Sequence, residues 1–335
     1  MRPFIPLVRN PHLLTVLGNF WPRKFDFSRW PMESNYIRTD PDTEVLVQTQ
    51  RPDNARAEVT FVHGLEGAGN AGYIVSMAEA CLSRGIATHR FHMRTCGGTE
   101  QRTNTLYHAG LTGDLRTFLE KREGPRLPMF LVGFSLGGNV VLKLAGELGE
   151  AAKELIAGVC AVSTPIDLGA CARRIDQRDN LLYQRRFVSR MRERLIATGR
   201  YTKEQFRDAR SIYTIDDLLT APSFGFGTAD NYYATQSSKG FLERIRVPAL
   251  VIQAKDDTFI PFAIFDHPAF RSNPYLTLVA TEYGGHLGFL QRHGRRFWLD
   301  EAVTEWIGSR LDKDAGSPVS DGKSQKVVPS LPVLW

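Results

Sequence analysis

Met129-Phe130-Leu131-Val132-Gly133-Phe134-Ser135-Leu136-Gly137-Gly138-Asn139 passes from an apolar strand pattern straight into a helical one. The change falls on Gly-Phe-Ser-Leu-Gly, so Ser135 is expected on a sharp strand-to-helix turn of the nucleophile-elbow kind. Such a turn crowds the backbone on both sides of the serine. Small residues are needed there, and Gly133 and Gly137 supply them. Gly138 would let the new helix lie close to neighbouring strands.

The alternation continues in both directions. Residues 44–50, 58–62, 86–93, 156–162, 249–253 and 276–279 read as further strands, and 73–84, 114–122, 136–148 and 297–311 as helices. This predicts an α/β fold with a mostly parallel central sheet and helices on both faces. The rhythm breaks between Pro165 and about Gly240, where the chain is basic, partly helical in pattern and without a clear β-run. We expect one domain over residues 1–311, with 165–240 inserted as a mainly helical cap. Residues 312–335, rich in Ser, Asp, Lys, Gly and Pro, are expected to be a mobile tail.

Composition bounds the function. With 42% hydrophobic and 23% charged residues the chain is of the ordinary globular type. It holds no apolar run near the ~20 residues of a membrane span. The N-terminal residues lack a signal-peptide core, so a cytoplasmic location is expected. Cys81, Cys96, Cys160 and Cys171 are scattered without the paired spacing of zinc sites or disulfide frameworks, and no metal is expected. Much of the net charge of +6 lies between Arg173 and Arg210. Such a segment could contact an anionic membrane surface or be a solvated helix face. It contains no recognisable nucleic-acid module, so nucleic acid is not an expected partner.

A serine hydroxyl is a weak nucleophile and needs a base, with a third group to orient that base. In an open α/β sheet these come from loops at the carboxyl ends of later strands. One such loop reads Ala254-Lys255-Asp256-Asp257-Thr258-Phe259-Ile260-Pro261. Asp257, four residues before Pro261, is taken as the orienting acid, and Asp256 is expected to bond loop backbone. Another reads Tyr283-Gly284-Gly285-His286-Leu287-Gly288-Phe289 and offers His286 as base. The loop His63-Gly64-Leu65-Glu66-Gly67 follows an early strand. Its Leu65 amide, with that of Leu136, is the expected oxyanion donor pair. His63 itself is expected to brace the loop.

With these residues in the order Ser135, Asp257, His286, the chain resembles the YheT-like branch of the α/β-hydrolases, over roughly residues 8 to 310. Other stretches carry the resemblance too: Asn10-Pro11-His12-Leu13, Arg94-Thr95-Cys96-Gly97-Gly98-Thr99, Tyr107-His108-Ala109-Gly110 and Asp230-Asn231-Tyr232-Tyr233. The resemblance implies the α/β-hydrolase fold and hydrolysis of carboxylic esters, with medium-chain or phospholipid esters as substrates. No organic cofactor is implied, and the expected partner is a small-molecule ester. Asn10–Leu13 is expected to pack against the core, and Tyr232 and Tyr233 to line the pocket or fill the cap. Two other readings stay open: acyl transfer by the same three residues, and a non-catalytic, membrane-associated binding protein on a hydrolase scaffold.

Overall fold

The computed structural model describes residues 1–314 apart from 24, 123 and 125. Of the expected tail over residues 312–335, residues 312–314 instead continue the helix Trp298–Asp314, and the rest, from residue 315, lies outside the described residues.

Eight strands form one sheet in the order β1-β2-β4-β3-β5-β6-β7-β8. They are β1 Glu33–Asp40, β2 Thr43–Gln50, β3 Ala57–Val62, β4 Ile86–Phe91, β5 Met129–Phe134, β6 Gly158–Val162, β7 Ala249–Ala254 and β8 Leu276–Thr281. From β4 to β8 every neighbouring pair is parallel, and β2 joins β4, and β1 joins β2, antiparallel. The α/β fold with a mostly parallel sheet and two helical faces is therefore as the sequence predicts. β1 is not among the predicted strands. Its residues, Glu-Ser-Asn-Tyr-Ile-Arg-Thr-Asp, are polar and largely exposed because it is an edge strand, so the apolar signal of a buried strand is missing.

The two faces have separate cores. Val59, Phe61, Val132 and Ile252 on one face pack with Ile74, Met77 and Cys81 of α2 (Gly72–Leu82) and with the closing helix Trp298–Asp314. Val62, Leu131, Ala161 and Val251 on the other pack with α3 (Gly113–Lys121) and α4 (Leu136–Leu148). Successive residues of β5, Leu131 and Val132, therefore point to opposite faces, as the pleat requires.

After β3 the chain runs to β4 on one side, then crosses to β5 on the other. The carboxyl ends of β3 and β5 thus flank a topological switch point, where open α/β sheets place their ligands. Between β6 and β7 the described residues hold no strand. They form the helices Leu168–Ile175, Leu181–Ala197 and Ala229–Gln236, with shorter turns between. Val188, Met191, Leu195, Phe206, Ile212 and Ile215 make a separate apolar cluster within this segment.

A helix absent from the sequence prediction, α1 (Pro11–Phe20), precedes the sheet. Asn10 caps it, its side-chain oxygen accepting from the Leu13 amide at 3.0 Å, and Pro11 occupies the first helical position. Asn10 to Leu13 was expected against the core. Instead Leu13 is exposed, and Leu14, Thr15 and Gly18 are the buried residues of the helix. The Asn-Pro start signal was present in the sequence.

Candidate active site

Ser135 sits between β5 and α4 with φ +52° and ψ −123°. A non-glycine residue at positive φ costs roughly 1–3 kcal/mol, and such strain persists only where surroundings impose it. Here the Ser135 amide donates to Val162 O at 2.8 Å, and its carbonyl accepts from Gly138 N at 2.8 Å. The glycines are sterically required. A Cβ on Gly133 would strike the Gly137 carbonyl, and one on Gly137 would strike the carbonyls of Val62 and His63. A Cβ on Gly138 would lie 2.6 Å from that of Thr164.

The three loops predicted from sequence meet at this turn. His286 Nε2 is 2.9 Å from Ser135 Oγ. On the other side of the ring, Nδ1 lies 3.0 and 3.2 Å from the two carboxylate oxygens of Asp257. An ionised carboxylate only accepts, so the ring proton is assigned to Nδ1. Nε2 then accepts from the Ser135 hydroxyl. Asp257 is itself fixed: Oδ1 accepts from the amides of Phe259 (2.9 Å) and Ile260 (3.2 Å), and Oδ2 from Gln253 Nε2 (3.2 Å). Asp256 instead accepts from the Gly285 amide at 2.9 Å, a backbone bond that steadies the histidine loop.

Thr15, on the helix missed in the sequence, also holds that loop. Its Oγ1 accepts from the His286 amide at 2.9 Å. The contact is close because Gly285, at φ +56°, has no Cβ to meet Pro11 O and Thr15. Sequence separation hid this partner, since nothing in the order of residues joins α1 to the loop after β8.

The His63–Gly67 loop leaves β3 beside the serine, with the Cβ position of Gly64 3.0 Å from Ser135 Cβ. His63 braces it: Nδ1 donates to Gly64 O (2.8 Å) and Nε2 accepts from Met93 N (3.1 Å). Burial, with Arg194 nearby, pushes the His63 pKa down to about 4, so the ring is a neutral structural element. Among the described residues neither the Leu65 nor the Leu136 amide donates to a protein acceptor. For Leu136 this follows from its place at a helix N-terminus.

Glu66 of this loop, also at positive φ, accepts from Arg194 of the helix Leu181–Ala197 through Nε and Nη2 at 2.9–3.0 Å. Arg194 also donates to Thr95 Oγ1 at 2.7 Å and lies over the Tyr107 ring. The segment between β6 and β7 is thereby tied to the loop at the site by a buried, bidentate ion pair. The basic character of residues 173–210 is thus only partly a surface property.

Ser135, Leu65, Leu136 and His286 open on a cavity of about 840 Å³, counting the space at its mouth. Leu168, Ile175, Phe187 and Met191 supply apolar walls from the segment between β6 and β7, with Tyr232 and Tyr233. Among the described residues no group of three His, Cys, Asp or Glu side chains could hold a metal ion. No helix among them is long and apolar enough to cross a membrane.

A strained serine in contact with a histidine–aspartate pair, at the switch point of such a sheet, defines an α/β-hydrolase. The family model described as serine aminopeptidase, S33, matches residues 53–264. The chain is 31% identical over 324 residues to the YheT protein of Escherichia coli (strain K12), covering 92% of this chain and 94% of that one. It is 28% identical over 320 residues to a Saccharomyces cerevisiae protein named medium-chain fatty acid ethyl ester synthase/esterase 2, covering 83% of this chain and 67% of that one. Among solved structures, the Pyrococcus furiosus esterase Pf2001 superposes with TM-score 0.55 at 17% identity, covering 93% of this chain and 99% of that one. The chain belongs to the YheT-like branch of the α/β-hydrolase family, and is a serine hydrolase of the ester-hydrolysing class.

Proposed function

We propose that Ser135, His286 and Asp257 form a catalytic triad that hydrolyses carboxylic esters through an acyl-enzyme. Ser135 Oγ attacks the ester carbonyl as His286 Nε2 takes its proton. Asp257 holds the ring in the required tautomer and stabilises its charged form. The amides of Leu65 and Leu136 receive the oxyanion. The intermediate collapses, the C–O bond to the alcohol breaks, and His286 protonates the leaving oxygen. Water, deprotonated by His286, then attacks the acyl-enzyme and releases the acid, restoring Ser135. The observation that carries this reading is the continuous hydrogen-bond chain from Ser135 Oγ through His286 to Asp257.

Medium-chain or lipid-like esters are the proposed substrates. The apolar walls of the cavity support this, as does the name of the yeast relative. That name, which includes ester synthesis, also favours a second reading in which an alcohol replaces water in the last step. A cytoplasmic location belongs to the same proposal and accords with four buried free cysteines.

The test is an ester panel of increasing acyl length assayed with the wild type and Ser135→Ala. The variant should lose roughly 10⁴-fold or more in kcat. Retained hydrolysis by Ser135→Ala would remove the proposal. Added ethanol, with ethyl ester as product, separates acyl transfer from hydrolysis.

A further inference from the structure

Two polar residues in the cavity wall have no part in the Ser135–His286–Asp257 chain. His108 lies in the loop before α3. Its Nδ1 accepts from the Gly110 amide at 3.2 Å, which places the ring proton on Nε2. The ring is edge-on to Phe224, Phe226 and Tyr232. Burial, with Lys143 and Arg94 nearby, pushes its pKa down to about 3, so it is a neutral donor near pH 7. Its Nε2–H has no acceptor among the described residues, and it is not sealed from the cavity that the residue lines.

Asp216 is the second. It opens a π-helical turn, Asp216–Thr220, in which the Ala221 amide reaches back to the Asp216 carbonyl. Such turns are rare and concentrate at functional sites. The Tyr233 hydroxyl donates to Oδ2 at 2.7 Å, and the Thr220 hydroxyl is a further neighbour. A carboxylate has about four acceptor positions, so capacity remains. Asp216 is 7% exposed, and burial raises its pKa to about 6. The two residues are joined along one wall, His108 to Tyr232, Tyr232 to Tyr233 and Tyr233 to Asp216.

A buried donor and a buried acceptor are costly beside a purely hydrocarbon ligand, which would strip their water and return nothing. An anionic group would be repelled by Asp216, and an ammonium would leave the His108 N–H unmatched. A neutral hydroxyl both donates and accepts. We propose that His108 Nε2–H and the Asp216 carboxylate form a hydroxyl-binding subsite, selecting esters that carry free hydroxyl groups on an otherwise apolar body. This names the substrate class of the site and rests on Ser135 being the nucleophile.

The hydroxyl can lie on the alcohol or on the acyl chain, and kinetics distinguish the two. The esters are 1-monooctanoylglycerol, propyl octanoate, methyl octanoate and methyl 8-hydroxyoctanoate. The variants are Asp216→Asn, which keeps an acceptor for Tyr233, and His108→Asn, which keeps one for Gly110. For whichever hydroxylated ester the site takes, the ratio of its kcat/KM to that of its unhydroxylated partner should fall about tenfold in each variant, mainly through KM. Binding of 1-O-octylglycerol, which cannot be hydrolysed, gives a readout independent of Ser135. For a hydroxyl on the alcohol, its Kd should weaken about tenfold in both variants. Circular dichroism melts confirm that the variants fold. Equal losses on both members of each pair would assign the two residues a structural role and overturn the proposal, as would unchanged ratios. Hydrolysis that survives Ser135→Ala would instead overturn the reading of Ser135.

Discussion

Ser135, His286 and Asp257 are far apart in sequence, yet each is held in place by hydrogen bonds to its surroundings. Ser135 is fixed by Val162 O and Gly138 N, His286 by Thr15, and Asp257 by the Phe259 and Ile260 amides. Asp257→Asn tests the orienting role. The asparagine oxygen can keep the two amide bonds, which turns its NH₂ toward His286 Nδ1. The imidazole must then carry its proton on Nε2, facing Ser135, and cannot accept from the hydroxyl. Esterase kcat should fall by about 10⁴-fold with little change in KM, the cost seen when a triad aspartate is lost elsewhere. A rate within threefold of wild type would mean that Asp257 does not set the tautomer. These residues were legible because each sits just after a strand, in a loop short enough for order to imply place. Thr15 was not legible, nor was the pairing of Arg194 with Glu66, because both bonds join segments that only the folded sheet brings together.

The strand–turn–helix from β5 to α4 works as a unit. Gly137 has backbone carbonyls on the side where a Cβ would project, and neither Val62 nor His63 can yield without disturbing β3 or its loop. Gly137→Ala should therefore destabilise the protein by roughly 1–3 kcal/mol and displace Ser135. Gly240, where a Cβ would meet nothing within 4 Å, is the control. Thermal melts and esterase assays should show Gly137→Ala impaired in both and Gly240→Ala near wild type. Equal behaviour would mean that the close approach is not needed. The buried strands were readable from their apolar runs, whereas β1 was hidden by its edge position and α1 by a short pattern whose exposed side carries Leu13, Val16 and Phe20.

Across the whole molecule, that exposed face of α1 adjoins the start of the helix Leu181–Ala197. His12 stacks on Tyr183, and Arg186 lies over the Phe20 ring. Leu181 and Leu182 are exposed there, with Arg178, Arg185, Arg186 and Arg190 around them. Apolar tips ringed by arginines complement an anionic lipid surface. We propose that this face makes peripheral membrane contact. The protein should sediment with phosphatidylglycerol-containing liposomes in low salt, and release on raising the salt or in Arg185→Glu/Arg186→Glu. Equal binding to neutral liposomes, or none to either, would rule this out. The helix that carries Arg185, Arg186 and Arg190 also presents Phe187, Met191 and Arg194 to the cavity, so the same element bounds the surface and the site.

The proposed mechanism rests on Ser135 as an activated nucleophile. The most direct measurement is reaction with a fluorophosphonate, followed by mass spectrometry of the labelled peptides. Modification at Ser135 alone, absent from Ser135→Ala and slowed by a competing ester, is the predicted result. A wild-type protein that stays unlabelled, or is labelled at another residue, would mean that Ser135 is not the nucleophile.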